Sequence, residues 1–135
     1  MVGFTKAERS TFKYWFAHWC SFNMTALNLH IWRPKYLLHD IEKPWLRLFC
    51  KYKTVQRMHR YHSNHHIEYH IKHGFTKMDW LAMVVDNECS RFTKLDSPMT
   101  AREWYDYIIK SNHYTLEETE QMTEHYLPIL NKLNL

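Results

Sequence analysis

An all-α fold of about six helices is predicted by three features of this 135-residue chain: scarce turn-forming residues, repeated helix-capping signals, and apolar residues recurring at helical spacing. Glycine occurs only at 3 and 74 and proline only at 34, 44, 98 and 128, with no Asn-Gly or Asp-Gly pair. Long stretches therefore lack the residues that hairpin-linked strands need at their turns. Thr followed three residues later by an acid satisfies free backbone N–H groups at a helix start. Thr5 to Glu8, Thr100 to Glu103 and Thr115 to Glu118 fit this pattern, and Thr76 to Asp79 is a weaker relative.

Taken in order, the first helix is expected from about Lys6 to Phe22, with Phe12, Trp15, Phe16, Trp19 and Phe22 as its buried stripe and His18 at the stripe's edge. A second segment ends at Leu37-Leu38-His39-Asp40, after which Pro44 marks a break or a new first turn. A third helix is expected from about Val55 to Lys72, closed by His73-Gly74. Periodicity predicts a fourth from about Met78 to Phe92 and two more over about Ala101–Lys110 and Leu116–Leu133. With no repeat, linker or low-complexity stretch, residues 1–135 read as a single domain.

The composition excludes several classes. An apolar content of 45% with 16% aromatics is too high for disorder, and two glycines leave no material for a P-loop or Rossmann phosphate loop. The three cysteines, Cys20, Cys50 and Cys89, are too widely spaced for a CxxC module or a disulfide framework, which points to a reducing, cytoplasmic setting. No apolar run has the length of a signal peptide or membrane span, so a soluble chain with no membrane partner is expected. A net charge of +4 suits anionic partners, nucleotides and nucleic acids alike.

The histidines carry the chemical information. Nine of eleven fall between residues 18 and 73, and six occupy residues 59–73. On a continuous third helix Val55, Met58, His62, His66 and Tyr69 share one face, so imidazoles replace core side chains there. A metal ion explains this, because neutral imidazoles at i and i+4, or His62 and His65 at i and i+3, can converge on one cation. His59, His70, His73, His113 and His125 read as solvated positions. The pair His39-Asp40 follows the apolar Tyr36-Leu37-Leu38 and precedes Lys43, which implies a buried carboxylate in need of a cation. Asp86 likewise ends the apolar run Leu81 to Val85.

The succession of His18, His39-Asp40, the His62-Ser63-Asn64-His65-His66-Ile67-Glu68-Tyr69 run and Asp86 resembles the HD-domain superfamily of metal-dependent phosphohydrolases, particularly compact HD-like proteins of phages and bacteria. Trp32-Arg33, Lys43 and Ala101-Arg102-Glu103-Trp104-Tyr105 extend the likeness, which spans about His18 to Leu133. The resemblance implies an HD-type helical bundle holding one or two divalent ions (Mn, Fe, Co, Ni, Zn or Mg). His18, His39, Asp40 and Asp86 would bind the first ion, with His30 the weaker rival to His18. His62 with His66 or His65 would bind the second, Asp40 bridging. It further implies a cytoplasmic phosphodiesterase acting on a nucleotide or a nucleotide second messenger such as a cyclic dinucleotide, in the host cytoplasm for a phage-encoded chain. Asp40, Lys43, His65 and Glu68 are the catalytic candidates, and Lys43, Arg33 and Arg91 the phosphate-binding ones. A nucleic-acid-binding module built on Lys51, Lys53, Arg57 and Arg60 interleaved with Tyr52 and Tyr61 is the alternative. A domain this aromatic is also expected to be capable of forming a homo-oligomer.

Overall fold

The computed structural model describes residues 3–63, 65–67 and 77–135, apart from the side chains of Lys77 and Met78. Its fold is all-α, as the sequence predicts. The helices are α1 (Phe12–Asn28), α2 (Glu42–Phe49), α3 (Tyr52–His62), α4 (Lys77–Ser90), α5 (Ala101–Lys110), α6 (Leu116–Gln121) and α7 (Leu127–Leu133), with 3-10 turns at Glu8–Ser10 and Pro34–Leu38. A π-helical turn, Met122–Tyr126, joins α6 to α7 without a break. Pro128, at the start of α7, has no N–H to donate to the preceding turn, and the wider winding falls just upstream of it.

Helix α4 organises the core because it is apolar around most of its circumference. On one side Ala82, Val85 and Cys89 meet Phe22 and Ala26 of α1 together with Tyr36. On the other, Trp80, Met83 and Val84 meet Ala101, Tyr105 and Ile108 of α5 and Met122, Tyr126 and Leu130 beyond it. Each large apolar side chain buried this way contributes about 1.5–3 kcal/mol, so α4, which feeds both clusters, holds the two halves together. Buried Glu88 of α4 accepts from the N–H of Ala101 at 2.9 Å and so adds to the Thr100–Glu103 capping box at the start of α5. The Thr115–Glu118 box starts α6 in the same way.

The first helix differs from the sequence expectation. Thr5 and Glu8 do bond to each other, but they close a 3-10 turn, and the helix proper starts after Thr11, whose hydroxyl accepts from the Tyr14 N–H. It then continues to Asn28. The buried face is also rotated: His18, Ser21, Phe22, Thr25 and Ala26 point inward, while Phe12 and Phe16 are exposed. The reason lies in the indoles of Trp15 and Trp19, which donate to backbone carbonyls of Asp40 and Leu37 at 2.8 and 2.9 Å. These rings clamp the 34–40 turn onto α1 and leave His18 and Phe22 to fill the space beneath it.

The third helix is shorter than expected. It ends at His62, and Ser63 is extended, its hydroxyl donating to Glu42 at 3.1 Å and lying 2.9 Å from His59 Nδ1. His65 and His66 therefore do not continue the helical register of His62. Thr76, Tyr69, His70, His73 and Gly74 lie outside the described residues. No described helix is long and apolar enough to cross a membrane.

Candidate metal centre

Three helices, one turn and the stretch beyond α3 bring His18 (α1), His39 and Asp40 (the turn after Pro34–Leu38), His59 (α3), His65 (beyond α3) and Asp86 (α4) to one place. The turn itself is unusual, since Asp40 has φ of 57°, a left-handed conformation that costs a non-glycine residue about 1 kcal/mol or more. It is held by the Trp15 indole on the Asp40 carbonyl and by the His39 ring, which stacks on Phe22 with centroids 3.7 Å apart. The result is a carboxylate aimed into the core.

Around Asp40 Oδ2, His18 Nε2 lies 3.8 Å away and His39 Nε2 3.5 Å away. Asp86 Oδ1 is 2.9 Å from His18 Nε2 and 3.4 Å from His39 Nε2, and the two imidazole nitrogens are 3.4 Å apart. Around Asp40 Oδ1, His59 Nε2 and His65 Nε2 stand at 3.0 and 3.2 Å and are 3.1 Å from each other. Nitrogen and oxygen ligands about 2.1 Å from a common ion stand about 3.0 Å apart in octahedral and about 3.4 Å apart in tetrahedral geometry. The Asp40, His59 and His65 separations match the octahedral edge, and those among Asp86, His18 and His39 fall near one edge or the other, with His18 to Asp40 longer.

Facing nitrogens of this kind are poor partners for one another, because a neutral imidazole offers either a proton or a lone pair at Nε2. The second set shows which. His59 Nδ1 lies 2.5 Å from Glu42 Oε1, a contact that favours a proton on Nδ1, so that in the neutral ring the Nε2 lone pair faces inward. Asp40 Oδ1 and His66 Nε2 are buried and have no hydrogen bond of good geometry among the described residues. Two buried polar atoms without a hydrogen-bond partner among the described residues, beside converging imidazole nitrogens, fit a cation better than they fit a hydrogen-bond network. This buried cluster can hold a metal ion: His18, His39 and Asp40, then His39, His65 and Asp86, then His59, His65 and His66 each bring three ligand atoms within 4.8 Å of one another.

The protonation states agree with that role. Burial opposes ionisation of Asp40, but His39, the Lys43 ammonium in contact with it, His59 and His65 outweigh burial and hold the carboxyl well below the usual range. Burial likewise opposes the Asp86 charge, and His18 and His39 reverse the balance. Burial lowers His18, His65 and His66, keeping them neutral as ligands must be. His59 is the exception: burial works against its charge, yet Asp40 and Glu42 on either side raise it. Burial, reinforced by Asp86, pushes the Cys89 thiol well above its normal value in the metal-free chain, and its Sγ stands with His18 and Asp86 as one more group of ligand atoms able to meet at an ion.

Several sequence assignments are corrected. His62, the last residue of α3, is exposed and lines a cavity of about 570 Å³ together with His39, Asp40, His59 and His65, while it is His59 that α3 buries. His59, read from the sequence as solvated, is only 2% exposed. His65 and His66 both enter the cluster, so the choice between them dissolves. His30 is exposed beyond the end of α1. Arg33 is exposed, and Arg91 is engaged by Glu88 at 2.8 Å and lies over the Phe92 ring, so neither faces the centre. Glu68 lies outside the described residues. Glu42, which the sequence reading did not select, orients His59; its place two residues after Asp40 was the available signal.

Comparison with protein families, curated proteins and solved structures finds no match to this chain.

Two outcomes are predicted. Elemental analysis of protein reconstituted with Mn(II) will show His62→Ala loading as the parent chain does. Glu42→Ala will weaken loading about 10–100-fold, and His59→Ala at least as much; equal loss in His62→Ala would contradict the assignment. In the metal-free protein the second outcome concerns acid. His18, His65 and His66 have folded values below the unfolded value of about 6.5, so the unfolded chain binds more protons and stability falls as pH drops through that value. His59, raised on folding, contributes stability below about 6.5 that is lost as pH rises through its folded value, the opposite sign. Three rings against one give a net decrease, so thermal unfolding in EDTA will show a lower midpoint at pH 5.5 than at pH 7.5, and a constant or rising midpoint would contradict it.

Proposed function

We propose that the chain is a metal-dependent phosphohydrolase of HD type that acts on a phosphoester of a nucleotide, including nucleotide second messengers such as cyclic dinucleotides. The observation that carries this reading is Asp40, a buried carboxylate presenting one oxygen to each of two adjoining His/Asp donor sets. Such a pairing suits two divalent ions that share a carboxylate.

Divalent ions at a centre of this kind supply Lewis acidity toward phosphoryl oxygens and a water-derived nucleophile near neutral pH. The chain's own contributions are positional and electrostatic. Glu42 fixes the tautomer of His59, and Phe22 fixes the ring plane of His39. Lys43 packs against Asp40 and also borders the cavity beside the cluster, where its ammonium can meet negative charge developing on a phosphate. Its charge is secure, since Asp40 and Asp86 outweigh burial and raise its pKa. A donor shell of imidazole and carboxylate is compatible with Mn, Fe, Co, Ni or Zn.

One observation favours a second reading. On the outer side of α3, Tyr52, Lys53, Gln56, Arg57, Arg60 and Tyr61 line a cavity of about 360 Å³, a basic and aromatic surface of the sort that holds single-stranded nucleic acid. The two readings separate in one experiment. Phosphoester hydrolysis by the Mn-loaded chain, screened over nucleotides and cyclic dinucleotides, is expected to fall by at least about a hundredfold in Asp40→Asn and to be unchanged in Lys53→Glu/Arg57→Glu. A chain that turns over nothing, yet binds an oligonucleotide in a manner lost on Lys53→Glu/Arg57→Glu and kept in Asp40→Asn, would establish the second reading instead.

A further inference from the structure

Beside the cluster, on the side of His66 and Asp86, lies a cavity of about 380 Å³ whose walls carry Lys6, Arg9, Lys43, Arg60 and Lys94. Five cations on one small cavity outnumber the acids beside it, which are Asp86 on its wall, close enough to favour the Lys94 charge, and the Asp40 and Asp96 partners of Lys43 and Arg9. Lys43 is paired with Asp40, and Arg9 with Asp96. Lys6, Arg60 and Lys94 form no ion pair among the described residues.

The arrangement is built rather than incidental. The segment before α1 is tied to the one after α4 by hydrogen bonds from Phe4 N to the Thr93 carbonyl at 2.7 Å and from Leu95 N to the Phe4 carbonyl at 3.0 Å. Lys6 N donates to Asp96 Oδ2 at 2.8 Å, and Arg9 donates to Ser97 Oγ at 3.0 Å as well as to Asp96. Lys6, Arg9 and Lys94 therefore stand on one tied rim of the cavity that Arg60 of α3 also lines. Arg9 Nε is buried without a hydrogen-bond partner among the described residues, which leaves a spare donor on that rim. Lys94 is half-buried, and burial, the largest influence on its ammonium, disfavours the charge. A cation kept in such a place is offset when an anion joins it.

We propose that this cavity is a second anion subsite, taking a phosphate or diphosphate group of the substrate other than the one at the metal centre. The phosphate being cleaved is served by the centre and Lys43, and the rim cations stand beyond them. Preferred substrates then carry at least two phosphate groups, and a simple monoester occupies only half of the site. Uncompensated positive charge in a recess also concentrates polyanions ahead of monoanions. As a substrate subsite the cavity rests on the hydrolase reading; as an anion site it stands apart from it.

The test uses the full-length metal-free chain in EDTA, titrated calorimetrically with inorganic pyrophosphate and with inorganic phosphate. Pyrophosphate is expected to bind at least about tenfold more tightly than phosphate, and Lys94→Gln and Lys6→Gln each to weaken it about tenfold, the loss of one charge-assisted contact. Arg60→Gln, an exposed substitution that leaves the core untouched, is expected to weaken it severalfold and guards against misfolding as the cause. Equal binding of the two anions, or variants that bind pyrophosphate as the parent does, would overturn the subsite even where Asp40-dependent hydrolysis is intact. Lys94-dependent pyrophosphate binding in a chain that hydrolyses no phosphoester would sustain the anion site and remove the hydrolase reading.

Discussion

The buried carboxylate of Asp40 is the constraint from which the rest of the structure follows. A lone ionised carboxyl away from water costs several kcal/mol, and this one is buried to 2% exposure in a left-handed turn that adds strain of its own. The chain compensates by surrounding it with Lys43, His39, His59 and His65, and by fixing the turn with two indole N–H groups from α1. The compensation is incomplete in one revealing respect. One oxygen of the carboxylate still lacks a well-formed hydrogen bond, while imidazole nitrogens converge around it at ligand spacing.

The fold supplies those partners from elements far apart in sequence. Helix α4 brings Asp86 because the same helix joins both apolar clusters, so its rotation is set by packing rather than by the polar groups. Helix α1 brings His18 next to Phe22 on the same buried face, and Phe22 in turn is the platform for His39. Core packing and site geometry thus share residues. The second donor set depends on less: a short α3, a break at Ser63 and the Glu42 carboxylate that orients His59.

That difference decides what could be read from the sequence. His18, His39, Asp40 and Asp86 were legible because each polar residue interrupts or ends an apolar run, and a polar group in such a place needs a reason. The second histidine set is arranged differently from the helical expectation because the periodicity stops at Ser63. With the helix ending there, i to i+4 spacing stops being a guide: His65 meets Asp40, while His62 is exposed at the edge of the neighbouring cavity. The stripe on α1 was misplaced for a related reason. Tryptophan was counted as core, whereas Trp15 and Trp19 act through their N–H groups at the rim. Arg33 and Arg91 lie away from the cluster, and beside Lys43, which the His39-Asp40 motif does point to, the cations that border it include Lys6, Arg9 and Lys94, from two segments that no local sequence pattern connects.

The central claim is that the cluster is a metal centre whose two halves share Asp40. The most direct measurement is anomalous diffraction from crystals of the chain grown with Mn(II). The account predicts density among His18, His39, Asp40 and Asp86, and a second peak among Asp40, His59, His65 and His66, with His62 unoccupied. Anomalous density absent from the cluster, with Lys43 and the histidines satisfied by one another and by water, would contradict it.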